Sequence, residues 1–244
     1  MKNICFVALA TLLMASTAAS AATLTLNTNS LPSTQGWTYI ASGAGAGLPE
    51  SSVYSIVGGE LVQNTLGIPQ FTGGANLYEH ASNLNPGDAW TLTLVGKINA
   101  FETNFGRTSG LSIGAGGALQ VGFAGNVVEY LDGFGFVVQS AFPLGFDPSA
   151  YNSYRLSVAG GLQSFSINGT SIYSNQAIVS GLDTPSFIFF GDGTGFANAS
   201  ANIRSVVFTS PGVPEPASWS LMISGFGLVG GALRRRAKIQ TAIA

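Results

Sequence analysis

The chain has 244 residues, of which 46% are hydrophobic and only 8% charged, and its formal net charge is −2. Between the two ends, Lys97, Arg107, Arg155 and Arg204 stand against ten acids, a net −6. A weakly acidic body with scattered bases argues against a nucleic-acid partner, which requires a basic stripe. The single cysteine, Cys5, and single histidine, His80, leave no disulfide and no cysteine-based zinc site.

The first element is a targeting segment over residues 1–22. Met1-Lys2 precedes an apolar run from Ile4 to Met14, and small residues follow to Ala22. Ala19-Ser20-Ala21 and Ser20-Ala21-Ala22 both fit small-x-small cleavage sites, so the mature chain is expected to begin at Ala22 or Thr23. Cys5 lies inside the apolar run, too early for a lipoprotein cysteine, so the mature chain carries none.

Residues 23–210 form one domain by length, large enough to fold without disulfides. No long stretch there has helical periodicity. Short alternating runs bounded by Gly, Asn, Pro and Asp recur instead, which predicts strands. In order they are Thr23–Leu26, Thr38–Ile40, Ser52–Ile56, Glu60–Gln63, Trp90–Ala100, Gly110–Ile113, Leu119–Phe123, Val127–Tyr130, Gly135–Gln139, Tyr154–Val158, Gln163–Ile167, Thr170–Tyr173, Phe187–Gly191 and Ile203–Thr209. Asn168-Gly169 is the strongest hairpin signal, because both positions tolerate positive φ. So many strands without helices predict an all-β, antiparallel sandwich or barrel. No internal repeat supports a propeller.

Few residues in this body suggest chemistry. His80 sits in Tyr78-Glu79-His80-Ala81-Ser82, which has no nucleophile-elbow context and reads as a solvated loop. Glu129 and Asp132 are three apart, so on one strand they would face opposite sides. Asp183, Asp192 and Asn198 lie in late loops that could hold calcium, but without ligand spacing; no cofactor is otherwise indicated. Gly43 to Gly47 and Gly114 to Gly117 match no phosphate-binding loop.

The last element is the most specific. Val213-Pro214-Glu215-Pro216-Ala217-Ser218-Trp219 leads into an uncharged stretch over 217–233, and Arg234-Arg235-Arg236 closes it. The prolines stiffen the start into an extended handle. Seventeen residues as a helix span about 25 Å, enough for a membrane crossing, with Trp219 at the interface and the arginines on the cytoplasmic side. Residues 237–244 would be a short cytoplasmic tail.

This tail resembles the PEP-CTERM sorting signal in its PEPxxW form. The resemblance implies export through the Sec translocon and transient single-pass membrane insertion. It also implies recognition by an exosortase and delivery to the cell surface, outer envelope or extracellular matrix. The sorting residues it implies are Pro214, Glu215, Pro216, Trp219, Arg234, Arg235 and Arg236.

The body resembles the concanavalin A-like lectin/glucanase (laminin-G-like) jelly roll. Tyr154 to Thr209 carries that resemblance through its Asn-Gly hairpin and its closing Ile203, Val206 and Phe208. It implies a non-catalytic module that associates with exopolysaccharide or has a structural role, or alternatively a polysaccharide hydrolase of the glucanase type. Asp132-Gly133-Phe134-Gly135-Phe136 is similar to a legume-lectin strand start and implies a ligand-binding Asp132, although the lectins' Glu-Phe-Asp metal strand is missing. Thr23-Leu24-Thr25 and Thr91-Leu92-Thr93 resemble the Thr-x-Thr ladders of ice-binding surfaces. Two isolated copies are expected to be ordinary solvent-facing threonines that form no flat array.

Overall fold

A period of two governs the body. From Trp90 to Ile98 every second residue is apolar or glycine, and on a strand this puts Trp90, Leu92, Leu94 and Ile98 on one face, each at most 3% exposed. A computed structural model describes residues 22–69, 75–82, 84, 88–103, 106–116, 119–135, 137–179, 186–193 and 195–210, with Phe226 alone beyond them. The predicted signal peptide apart from Ala22, and the whole Pro-Glu-Pro, membrane-length and arginine tail apart from Phe226, lie outside the described residues.

The described body holds fifteen strands. They are β1 (Ala22–Thr25), β2 (Thr38–Ala41), β3 (Tyr54–Val57), β4 (Glu60–Asn64), β5 (Asn76–Ala81), β6 (Trp90–Thr103), β7 (Ser112–Ala115) and β8 (Leu119–Gly122). They continue as β9 (Val127–Leu131), β10 (Val137–Ala141), β11 (Asn152–Ala159), β12 (Leu162–Ile167), β13 (Thr170–Ala177), β14 (Phe187–Asp192) and β15 (Ala197–Ser210). An eight-stranded sheet runs β13-β12-β11-β6-β15-β4-β3, with β1 also on β15; a seven-stranded sheet runs β10-β9-β8-β7-β14-β5-β2. Every strand pair in both is antiparallel. The result is a jelly-roll β-sandwich.

The inner faces of both sheets share one core. Tyr154, Leu156, Phe165, Ile167 and Val206 come from the larger sheet, and Ile113, Val121, Val128, Tyr130, Ile188 and Phe190 from the smaller. Rings stack in this core, Phe123 on Tyr154 at 4.0 Å and Tyr130 on Tyr173 at 3.9 Å between centroids. Each fully buried aliphatic or aromatic side chain contributes about 1.5–3 kcal/mol, so this layer dominates stability. Asn168 and Gly169 close their hairpin with φ of 51° and 81°, as a type I′ turn requires.

Three expectations change. Ser52 and Val53 belong to one helical turn, α1 (Glu50–Val53), and the strand starts at Tyr54. His80 is on a strand, β5, which the sequence concealed because Asn76, Tyr78 and His80 on one face alternate with Leu77, Glu79 and Ala81 on the other. Polar residues on both faces hide the period. Finally, the two Thr-x-Thr segments are neighbours. β1 and β6 flank β15, and Thr23, Thr209, Thr91, Ser157 and Ser164 register opposite one another across five strands.

Candidate functional site

The outward face of the seven-stranded sheet follows from the register. Ile188 and Phe190 face the core, so Phe189 faces out, level with Glu79 on β5 and Gly114 on β7. On β9, Val128 and Tyr130 face in and Glu129 faces out beside Gln139 of β10. Glu129 is nonetheless only 4% exposed. Arg107 Nη2 lies 2.6 Å from its Oε1, and the Thr108 backbone N–H donates to Oε2 at 3.2 Å. The segment holding these donors is tied to the chain just after β8 by the Ala124 N–H, which donates to the Thr108 carbonyl at 2.8 Å. Burial pushes the Glu129 carboxyl above the usual range, and Arg107 and Thr108 only partly offset that.

Among the described strand residues the other outward carboxylate on this face is Glu79, also raised by burial. β5 and β9 are four strand spacings apart in the sheet order, roughly 19 Å at about 4.8 Å per strand. Glycoside hydrolysis by a carboxyl pair needs about 5–9.5 Å. These two acids therefore cannot act on one glycosidic bond.

The outward face of the eight-stranded sheet carries a polar network. Glu60 Oε1 accepts from Arg204 Nε at 2.7 Å, and Oε2 accepts from the Tyr151 hydroxyl at 2.6 Å and Asn202 Nδ2 at 2.7 Å. Those donors, the Asn202 amide foremost, pull the Glu60 carboxyl down to about 2. The Arg204 guanidinium lies 3.3 Å from the Tyr151 ring centroid and Lys97 Nζ 5.3 Å from it.

Among the residues singled out from sequence, Asp132 lies half-buried in the β9–β10 turn. Its Oδ1 accepts the Phe134 backbone N–H at 2.9 Å and its carbonyl accepts the Gly135 N–H at 2.9 Å, so it shapes the turn. His80 is half-buried, with its ring edge-on to Trp37 at 5.2 Å. Asp183 lies outside the described residues. Asp192 and Asn198, expected in loops, lie instead on strands: Asp192 is 1% exposed at the end of β14, opposite Asn76, and Asn198 of β15 donates to the Ile68 carbonyl and to Glu102. Among the described residues no three His, Cys, Asp or Glu gather to hold a metal. Pro214, Glu215, Pro216, Trp219 and Arg234 to Arg236 lie outside the described residues.

Two arrangements were not foreseen. Arg107 meets Glu129 across 22 positions and Arg204 meets Glu60 across 144. Such pairings are made by strand order alone, and no local spacing encodes them. The outward parity of Glu129 between Val127 and Leu131 was the one available signal.

Residues 212–236 match the family described as the PEP-CTERM protein-sorting motif. The chain thus carries the signal for export and exosortase-mediated surface sorting. No curated protein matches the chain. Among solved structures, an endo-β-1,3-glucanase from Pyrococcus furiosus superposes with a TM-score of 0.50 at 12% identity, covering 78% of this chain and 94% of that one. A family 7 alginate lyase, A1-II′, gives 0.49 at 15% identity over 72% and 95%, and a carbohydrate esterase of a Shiga toxin-encoding bacteriophage gives 0.48 at 13% over 80% and 100%. At such identities the likeness is one of fold, the concanavalin A-like jelly roll. Among the described residues no helix is long and apolar enough to cross a membrane.

Proposed function

We propose that the protein is exported by Sec, processed by an exosortase at its C-terminal signal, and delivered to the cell surface or extracellular matrix. There its sandwich acts as a non-catalytic module that associates with exopolysaccharide or builds the matrix. The sorting half is carried by the match over residues 212–236, with Pro214, Glu215, Pro216 and Trp219 as the recognised handle and Arg234 to Arg236 as the cytoplasmic stop. In this reading residues 1–22 are the signal peptide, 23–210 the module, 217–233 the transient membrane segment and 237–244 its cytoplasmic end. The observation favouring a non-catalytic body is the roughly 19 Å between Glu79 and Glu129, with Glu129 engaged by Arg107. Asp132 is the proposed ligand contact, at a turn that also exposes Phe134.

Changing Glu215→Ala, or deleting the exosortase, should hold the full-length protein in the membrane fraction. Identical mass and fractionation with and without the change would end the sorting reading. A polysaccharide hydrolase is the second reading, favoured by the glucanase likeness of the fold. Release of reducing sugar from matrix polysaccharide, lost in Glu129→Gln or Asp132→Asn, would establish it. Binding without turnover supports the first.

A further inference from the structure

Of the four bases in the acidic body, three sit on one face. Arg155 on β11, Lys97 on β6 and Arg204 on β15 all point outward from three adjacent central strands of the eight-stranded sheet. The inward partners of the same strands, such as Leu156, Leu94 and Ile203, fix that direction by alternation. Arg204 is matched by Glu60. Lys97 and Arg155 have no carboxylate partner among the described residues. The centre of this face is therefore locally positive on a body whose net charge is negative.

The surroundings of the two cations are hydroxyl- and amide-rich. Arg155 stands in register between Thr93 and Ser166, and the neighbouring register row is the line of Thr and Ser hydroxyls from Thr23 to Ser164. Lys97 stands opposite Asn202, next to the Tyr151 ring. Lys97 and Arg155 are four residues and one strand apart, about 14 Å at 3.4 Å per residue. The hydroxyl row, about 19 Å long, runs across the strands, and Arg155 and Lys97 lie two and six residues from it on the same side, about 7 and 20 Å, so row and cations form one polar strip that suits an extended chain of sugars bearing carboxylates. Hydroxyls and amides would bond sugar hydroxyls, and the cations would meet acid groups one or more sugars apart.

A membrane surface fits less well. Anionic lipid recognition typically uses four to eight clustered Lys or Arg, and the large exposed apolar residues on this face, Val57 and Leu162, stand on β3 and β12, well apart in the sheet order. We propose that the outward face of the eight-stranded sheet binds uronate-type acidic polysaccharide, with Arg155 and Lys97 as its anion contacts. This rests on the matrix-associating reading for the class of ligand, and adds the surface and the sign of its charge.

The test uses full-length protein in mild detergent, titrated with polygalacturonate and with neutral laminarin. Wild type should bind polygalacturonate with an affinity that falls as salt rises. The Lys97→Ser/Arg155→Ser double variant should bind about tenfold more weakly, with a flatter salt dependence, while Arg155→Lys stays near wild type. Thermal melts check that the variants are folded, and both substitutions lie on the outward side of intact strands. If the double variant binds as wild type does, this surface is wrong while the association reading stands. If wild type binds neither polymer, the association reading falls and this inference with it. Capture by vesicles containing anionic lipid, lost in the double variant without polymer binding, would make the face a membrane contact and overturn the assignment. Inhibition of ice recrystallisation, lost in Thr93→Leu without polymer binding, would overturn it in favour of ordered water.

Discussion

Among the described residues each sheet of the sandwich holds one Glu–Arg pair on its outward side, and the two pairs behave oppositely. Arg107 and Glu129 are 2.6 Å apart, Arg204 and Glu60 2.7 Å, yet the first carboxyl is raised and the second lowered to about 2. Separation does not set the difference. Glu129 is 4% exposed and receives one backbone N–H besides Arg107; Glu60 is 18% exposed and receives a hydroxyl and an amide besides Arg204. Desolvation dominates the first and hydrogen bonding the second. A short ion pair is therefore a structural clamp on one face and a well-solvated organiser on the other.

The sharpest way to break that comparison is Arg107→Leu. It strands a buried carboxylate, and the expected loss at pH 7 is about 2–4 kcal/mol by urea denaturation. Its pH dependence carries the sign. The Glu129 carboxyl lies above its unfolded value, so the stability it contributes is present below the unfolded value and is lost as pH rises through the folded one. Without Arg107 that loss deepens, so the deficit should be larger at pH 7 than at pH 5. Adding Glu129→Gln should recover most of it. A deficit independent of pH, or unchanged in the double variant, would mean that packing of the Arg107 stem matters and the ion pair does not.

The two pairs also mark what sequence could and could not tell. Strands with a clean period, such as Tyr154–Val158 and Trp90–Ala100, were legible because inward apolar residues alternate with outward polar ones. β15 begins earlier than its apolar run because Ala197, Ala199 and Ala201 face the core, and alanine signals a strand weakly. β5 was illegible because Asn76 and His80 face inward, held by a 3.1 Å bond from the Tyr39 hydroxyl and by the Trp37 ring. The sorting motif was legible because its elements are contiguous. The ion pairs and hydroxyl row were not, because strand order joins residues that the chain separates by dozens of positions.

A smaller effect tests the exposed pair. Arg204→Leu should lower the urea midpoint far less than Arg107→Leu does, because surface pairs contribute little and Tyr151 and Asn202 continue to hold Glu60. Arg204 is itself 53% exposed. A loss matching that of Arg107→Leu would show that the two faces do not differ in the way their burial implies.

The effect most specific to Glu60 is in the acid limb. Its folded carboxyl lies at about 2, below the unfolded value of about 4.3, so its contribution is present above the unfolded value and is lost as pH falls from about 4.3 through about 2. Glu60→Gln removes that titration while keeping an acceptor for Tyr151 and Asn202. The variant's stability should fall less steeply than wild type between pH 5 and pH 2, so that it lies below wild type at pH 7 and the two converge near pH 2. Asn202→Ala should shift the same limb in the same direction, since the Asn202 amide is the foremost cause of the depressed carboxyl. Equal acid slopes in wild type and Glu60→Gln would place the acid sensitivity in other carboxylates and leave the Glu60 network a surface contact without a role in stability.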